Sequence, residues 1–345
     1  MRRNFLSVSL SMLRLPVYFA ALQIFARLQD AAAASRCAQP RSGLDLTMSR
    51  ICVLICTFDR HEMLARLLAA LLPQATACGA TVVIADNGTV SAQAVVDRFR
   101  GQMDIIYTRL PEPGLVNARN TTLRLALPLH PDYLVFIDDD ELPEGDWLDT
   151  LVQTLESSGG DFATGPVLPH FSEPPPAWVA GSRFFDVDAD CLGTSNLAIR
   201  TASLPGDERE WFNPLFNFTG GEDPELLRRM LAKGALHVIA EGAVVHENVP
   251  PERLRRRYIW RRGLRDGVVT AMILRLRHPV RMSFLLHLSG AMLGKTGYAL
   301  NHMFWSWAEP WRVIAAIADL AAVAGLVAAA LGLRPTFYGW KSKTR

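Results

Sequence analysis

Cysteine is scarce in this chain, with 5 residues in 345. Cys37, Cys52, Cys56, Cys78 and Cys191 are odd in number and irregular in spacing. That excludes a disulfide framework and leaves no zinc-binding pattern. Cys52 and Cys56 fall inside an apolar run, and the set reads as buried free thiols of a reducing compartment. A strong charge of either sign is also lacking: the formal net charge is +2. No nucleic-acid partner is expected, while an acidic substrate or a membrane surface stays open. Glycine is missing from the turn after the first apolar run, Thr57-Phe58-Asp59-Arg60-His61, so a glycine-rich phosphate loop is excluded there. A long unbroken apolar run is lacking at the start: the stretch from Phe5 to Ala26 is interrupted by Arg14, Pro16 and Gln23, so it reads as a poor signal peptide, an amphipathic anchor or no natural segment.

What the chain does have is one stretch around which the rest is arranged. Tyr133-Leu134-Val135-Phe136-Ile137 is a continuous apolar run rich in aromatic and β-branched residues, the composition of a buried parallel strand. Asp138, Asp139 and Asp140 follow where the strand would leave the sheet. Adjacent carboxylates repel, and each raises the cost of ionising the next. A hard divalent cation, Mg²⁺ or Mn²⁺, removes that cost and commonly brings a phosphate with it. A solvated acidic turn has the same local sequence. The carboxyl end of a strand, however, is where open α/β sheets place ligands, which favours a metal-bridged diphosphate site.

Half of the residues are hydrophobic (50 %) and 20 % are charged, enough for a sizeable core. Residues 1–47 read as a poorly structured or amphipathic extension. Met48 stands just before the first clear strand and is a candidate start; if natural, the extension suits a loose membrane contact. From Ile51, strands at 51–56, 81–85, 104–108 and 133–137 alternate with helices at 61–72 (stopped by Pro73), 92–99 and 115–127. A helix over 147–155, a strand over 161–168, a proline-rich loop at 173–176 and a strand entered at 193–199 follow. Gly220-Gly221-Glu222-Asp223 is a second acidic turn. Pro224 opens a helix, and short strands over 236–240 and 243–245 end at His246. This alternation predicts an α/β fold with a mostly parallel sheet flanked by helices. Polar residues follow three of the strands: Thr57 and Asp59, Asp86 and Asn87, and the Asp138 triplet.

The order of these pieces resembles family 2 glycosyltransferases of the GT-A, Rossmann-like fold. The matching residues are Ile55 to Arg60, Ala85 to Gly88, Gly114 through Asn120, Phe136 to Glu141 with Trp147 and Leu148, and Gly220 to Asp223. Val249 to Arg253, with Arg261, Arg262, Arg265 and Gly267, is similar to the bacterial exopolysaccharide branch, of succinoglycan type. The resemblance covers about residues 48–270. It implies transfer of a sugar, with inversion, from a nucleotide-diphosphate sugar (a UDP-sugar foremost) to a hydroxyl of a glycan or lipid-linked acceptor in surface polysaccharide synthesis. By the same resemblance Asp140 is the direct metal ligand, with Asp138 beside it, and Asp139 lies nearer the ribose or sugar. Asp223 is the general base with Glu222 next to it, unless the pair only caps the following helix. Asp86 holds the nucleotide base, Thr57, Phe58 and Asp59 lie at the adjacent strand end, and Arg119 and Asn120 line the nucleotide pocket. His246 is a candidate third metal ligand, and Arg261, Arg262 and Arg265 either grip a diphosphate or face anionic lipid.

The resemblance divides the chain into a catalytic domain over 48–250 and a basic, membrane-associated helical segment over 251–345. Residues 283–300 and 313–333 are apolar, the second long enough to span a bilayer. Basic residues precede both, and Trp305, Trp307, Trp311 and Trp340 suit a headgroup zone, so contact at the cytoplasmic face of the plasma membrane is expected, either lying on it or spanning it. A soluble hairpin packed on the catalytic domain is the alternative. Two other functions share parts of this pattern. A sugar-phosphate nucleotidyltransferase needs the glycine-rich loop that is missing, and an inactive sugar-binding subunit would have lost the acidic residues that are present.

Overall fold

A computed structural model describes residues 49–333 and 335–337. The expectations for residues 1–48, including Cys37, and for Trp340 lie outside them. The first strand, β1 (Ile51–Thr57), is apolar up to its last residue, Thr57, and buried on both faces. Its alternate residues serve two cores, as the twofold period of a strand requires. Ile51, Val53 and Ile55 pack on one face with Leu64, Leu67, Leu68 and Leu71 of α1 (His61–Cys78) and with Trp147, Leu151 and Leu155 of α4 (Trp147–Ser158). Cys52 and Leu54 pack on the other with Val116 and Leu123 of α3 (Leu115–Ala126) and Leu226, Leu227 and Met230 of α5 (Glu222–Ala232).

The main sheet has 7 strands in the order β3-β2-β1-β4-β8-β6-β9. Here β2 is Thr81–Asp86, β3 Asp104–Arg109, β4 Tyr133–Ile137, β6 Phe162–Thr164, β8 Asn196–Arg200 and β9 His237–Ile239. All pairings are parallel except those made by β8 with β4 and β6. The sheet is therefore mostly parallel, and the carboxyl ends of β1, β2 and β4 open at one edge. A second sheet of 3 strands joins β5 (Glu141–Pro143), β10 (Val245–Val249) and β7 (Val167–Phe171).

Four local expectations change. The helix expected to stop at Pro73 runs on to Cys78 with the proline inside it, and ends at Gly79 in the left-handed region (φ 65°). Its buried face continues to Ala75, and that packing outweighs the hydrogen bond lost at the proline. The single strand expected over 161–168 is two, β6 and β7, in different sheets. The chain breaks at Gly165-Pro166, where a Cβ on Gly165 would lie 2.3 Å from the Ala243 carbonyl oxygen. The expected helix at 92–99 shrinks to one turn, α2 (Gln93–Val96). Helix α5 begins at Glu222 rather than at Pro224, entered through Gly221 at φ 95°.

Three long helices end the described chain: α6 (Arg256–Arg277), α7 (Arg281–Trp305) and α8 (Arg312–Ala330). Only α8 is long and apolar enough, among the described residues, to cross a membrane. It lies directly on α6. A Cβ on Gly267 would stand 2.0 Å from the Ala322 carbonyl oxygen, one on Gly263 2.4 Å from that of Ala318, and one on Gly325 2.1 Å from that of Leu264. Backbone meets backbone along this seam, and only glycine permits it. Helix α6 is in turn joined to the core beneath the main sheet, where Ile273 belongs to the same cluster as Leu226, Leu227 and Met230 of α5.

Candidate active site

Parallel register sets Thr57 of β1 opposite Asp86 of β2, and β4 delivers Asp138 at the same edge. The loop after β1 is bound to the loop after β4. Asp139 Oδ2 accepts the Thr57 hydroxyl at 2.7 Å and the Phe58 N–H at 3.4 Å, and its Oδ1 accepts from Arg60 Nη1 at 2.7 Å. Burial pushes the Asp139 carboxyl up, against the pull of the Arg60 charge. Asp140 is buried and faces two guanidiniums: its Oδ2 lies 2.9 Å from Arg60 Nη1 and 3.0 Å from Arg253 Nη2. Arg253 also pairs with Glu247. Phe58 is exposed.

Asp138 is the most open of the three, with 41 % of its side chain exposed. The dense protein around it still pushes its carboxyl up to about 6, with Arg119 opposing and Asp140, Asp139 and Asp223 adding to the rise. Beneath it lies Glu141, buried, whose Oε2 accepts the Asp138 N–H at 2.9 Å. Burial and the Asp138 charge hold Glu141 well above the usual carboxylate range, so a fourth carboxyl carries the backbone of the triplet.

Arg119 of α3 joins the two acidic motifs. It is buried, with Nη2 3.6 Å from Asp138 Oδ1 and Nε 3.0 Å from Glu222 Oε1. Its guanidinium sits 5.7 Å from the Phe212 ring centre, a cation–π contact. Glu222 is 1 % exposed, and neither of its oxygens receives a well-directed hydrogen bond among the described residues. Burial drives its carboxyl up to about 7; Arg119 pulls down and Asp223 pushes up. Asp223 is half-buried beside it, its Oδ2 accepting the Thr194 N–H at 3.4 Å. Both stand in the first turn of α5, where the N-terminal dipole favours negative charge. They do not cap the helix: Gly221 holds that position.

The remaining expected residues divide. Asp86 is fully buried, accepting from the Gly88 N–H at 2.9 Å, the Ala92 N–H at 2.7 Å and the Tyr107 hydroxyl at 2.6 Å. It builds the loop from 86 to 92. Asp59, in the left-handed region at φ 53°, holds the same loop through Thr89 and Val90. Burial pushes its carboxyl up, and the hydrogen bonds from Val90 and Thr89 together outweigh that and lower it. Asn120 spends its amide on the Phe212 backbone, donating to the oxygen at 3.0 Å and accepting from the N–H at 3.2 Å. His246 lies inside β10 rather than after it, and its Nε2 stands 2.9 Å from Glu144 Oε1. Arg262 lies over the Phe184 ring, and Arg261 donates to the Phe337 carbonyl oxygen.

Several site residues have no role assigned from sequence. Arg60 and Arg253 lie inside quoted motifs, and Glu141 follows the triplet directly, so a local signal exists for each. Asn217 has none: its Oδ1 accepts the Val116 and Asn117 N–H groups at 3.0 and 3.2 Å and caps α3 from 100 residues away. Cys191, expected as a buried thiol, has an exposed residue surface, although the protein packed around its thiol pushes it up, with Asp223 adding to the rise.

The donor set of the triplet is all carboxylate oxygen, which fits Mg²⁺ or Mn²⁺. No three His, Cys, Asp or Glu side chains among the described residues already converge as a closed ligand group.

The sequence profile of glycosyl transferase family 2 matches residues 52–216. The succinoglycan biosynthesis protein ExoM of Rhizobium meliloti (strain 1021) is 30 % identical over 298 residues, covering 81 % of this chain and 92 % of that protein. Chondroitin synthase of Pasteurella multocida (strain Pm70) is 24 % identical over 242 residues, 58 % of this chain and 25 % of that protein. Among solved structures, the mannosyltransferase PcManGT from Pyrobaculum calidifontis, in complex with GDP-Man and Mn²⁺, matches 89 % of this chain and 96 % of its own. The TM-score is 0.51 at 18 % identity, a likeness of fold.

Proposed function

The chain belongs to glycosyl transferase family 2, and from that membership we propose a metal-dependent, inverting sugar transfer. The donor is a nucleotide-diphosphate sugar, a UDP-sugar foremost. The acceptor is a hydroxyl of a glycan or lipid-linked glycan in bacterial exopolysaccharide assembly, at the cytoplasmic face of the plasma membrane. Residues 48–250 form the catalytic part, and residues 251–345 the membrane-associated part. One observation carries the reading: Arg119 ties the Asp138 end of the triplet to Glu222, next to Asp223, so both acidic motifs line one cleft.

Asp140 and Asp138 would hold Mg²⁺ or Mn²⁺, which when bound offsets the charge of the departing diphosphate. His246, engaged with Glu144, is the weakest candidate for a third ligand. The loops built by Asp59 and Asp86 shape the nucleotide side, with Phe58 exposed to stack on a base. Thr57 and Arg60 fix Asp139 on the sugar side. Asn120 acts by holding the Phe212 segment under Arg119. Asp223 takes the proton of the acceptor hydroxyl as its oxygen bonds to the anomeric carbon; the bond to the diphosphate breaks and its electron pair leaves with the diphosphate. Glu222 keeps Arg119 positioned and its charge offset.

A panel of nucleotide sugars, incubated with and without chelator and with glycan acceptors, tests this. Transfer that needs added Mg²⁺ or Mn²⁺ and gives a product of inverted anomeric configuration by NMR is the expected result. Full turnover in excess chelator, or retained configuration, overturns it.

A further inference from the structure

Helix α7 presents an apolar stripe to solvent along its whole length. Met282 is 75 % exposed, Leu286 69 %, Leu293 74 %, Leu300 61 % and Phe304 69 %. Their spacing follows the heptad of one helix face, and the 25 residues of α7 carry it over about 37 Å at 1.5 Å per residue. Tyr298, Trp305 and Trp307 are exposed towards the far end. A soluble surface rarely leaves so long an apolar patch uncovered. Only one face of α7, with Phe284 and Leu288, is packed inward, against Leu326 of α8 and Ala271 of α6.

Charge identifies the occupant. Helix α7 contains no acidic residue. The exposed chain leading into it alternates cation and apolar side chain: Arg275, Leu276, Arg277, Val280, Arg281, Met282. The one other lysine or arginine of α7, Lys295, is tied to Asp319 of α8 at 2.8 Å. An apolar stripe with a basic rim matches a surface of anionic headgroups over acyl chains. A second copy of the chain fits less well. Paired parallel, the basic ends would face each other; paired antiparallel, they would meet the acid-free far half of α7.

The most apolar helix is not the membrane element. Helix α8 touches the α6 backbone at Gly263, Gly267 and Gly325, and α6 carries Arg261, Arg262, Arg265 and Asp266 within a turn of that seam. A crossing by α8 would bring those charges into hydrocarbon, where they are strongly disfavoured. We infer that α7 docks the protein in the headgroup plane of an anionic membrane, with α8 as the buttress that holds α7 against α6 and not as a span. Ile273 of α6 shares a core cluster with Leu226 and Leu227 of α5, so the helix that leads into the docking segment also packs in the layer of the helix that carries Asp223. This deepens the proposed membrane-side reading and rests on it only for its purpose.

The test uses the full chain and vesicles of phosphatidylcholine, alone or mixed with phosphatidylglycerol, without donor or acceptor. A failure of docking is thus told apart from a failure of sugar transfer. Sedimentation should show binding to the anionic vesicles, reversed by alkaline carbonate. The triple variant Leu286→Gln, Leu293→Gln, Leu300→Gln changes only exposed side chains and should bind about a hundredfold more weakly. The triple variant Arg275→Gln, Arg277→Gln, Arg281→Gln should lose about a hundredfold on anionic vesicles and little on neutral ones. In the unaltered chain, tryptophan emission should shift to the blue on anionic vesicles, a readout that depends on no variant. Protein that resists carbonate makes α8 a span and overturns the inference. So does a chain that binds no vesicle and is a dimer in ultracentrifugation, broken by the leucine variant.

Discussion

Arg253 Nη2 meets Asp140 Oδ2 at 3.0 Å across 113 positions of sequence. The segment after β10 thereby closes over the end of β4, and the carboxylate proposed for the metal already has two cationic neighbours, Arg60 and Arg253. A divalent ion entering without donor must compete with both. A donor diphosphate supplies new partners for the guanidiniums and lowers that competition.

Replacing Arg253 by glutamine should therefore raise the affinity of the donor-free protein for Mn²⁺, by about fivefold, the usual worth of one partly exposed ion pair. Binding of the nucleotide diphosphate should weaken in the same variant. Titration followed by Mn²⁺ electron paramagnetic resonance checks the first half, and calorimetry with nucleotide the second. An unchanged or lower Mn²⁺ affinity would mean that Arg253 does not compete for the carboxylate.

Asp223→Asn keeps size and shape but removes the proposed base. Donor affinity should hold while the chemical step slows by about a hundredfold to ten-thousandfold, the range typical of a positioned base. Single-turnover kinetics separates the two. Unchanged turnover would assign the base elsewhere.

Arg119→Gln leaves Glu222 buried beside no full positive charge. The fold should lose about 3–5 kcal/mol, as when one partner of a buried pair is removed. Denaturant unfolding at neutral pH measures this, and a loss below about 1 kcal/mol would show that the pair is more solvated than its burial implies.

The Glu222 carboxyl rises from an ordinary 4.5 to about 7, through burial first and the neighbouring Asp223 as well, against Arg119. An acid raised in the folded state binds its proton more tightly there than in the unfolded chain. Its contribution is full below about 4.5 and is lost as pH climbs through about 7. The stability of the unaltered chain minus that of Glu222→Gln should fall across this window. Urea unfolding of both at several pH values decides; a flat or rising difference contradicts the shift.

Gly267→Ala would set a methyl group 2.0 Å from the Ala322 carbonyl oxygen. Neither backbone can yield without parting α6 from α8, so a loss of about 1–3 kcal/mol is expected. Thermal unfolding measures it, and an unshifted midpoint would mean the seam is looser than its contacts indicate.

The first four strands are legible in the sequence because each is a short apolar run that ends in polar residues, and in a parallel sheet those ends converge. The acidic triplet stands out for the same reason, at the end of β4, whereas Glu222-Asp223 stands out only as an acidic turn after two glycines at the start of a helix. Pro73 misleads because a local rule stops a helix there, while burial of Leu71 and Ala75 carries it on. The split at Gly165-Pro166 depends on the approach of Ala243, 78 positions away by number, which no window of sequence contains. Arg119 as a bridge, Asn217 as a cap and Arg253 over Asp140 are all long-range pairings. Residue type alone allows each of them to be a solvated surface group.

Asn120 and Asn217 belong to two segments that hold each other, the first gripping Phe212 and the second seating the start of α3. With Arg119 reaching Glu222, the wall of the cleft forms a closed ring of chain: α3, the 212–217 segment, α5 and back. A ring of this kind has few independent joints. A displacement at any member is shared by the others, so the gap between the Asp138 loop and Asp223 acts as a fixed gauge. Outside the ring, the chain from Cys191 to Thr194 lies beside Asp223, so under the proposed function the loop that ends there, between 172 and 194, is placed to limit which sugar is accepted. Exchanging that loop between relatives should change which sugar is accepted without resetting the spacing of the acidic groups.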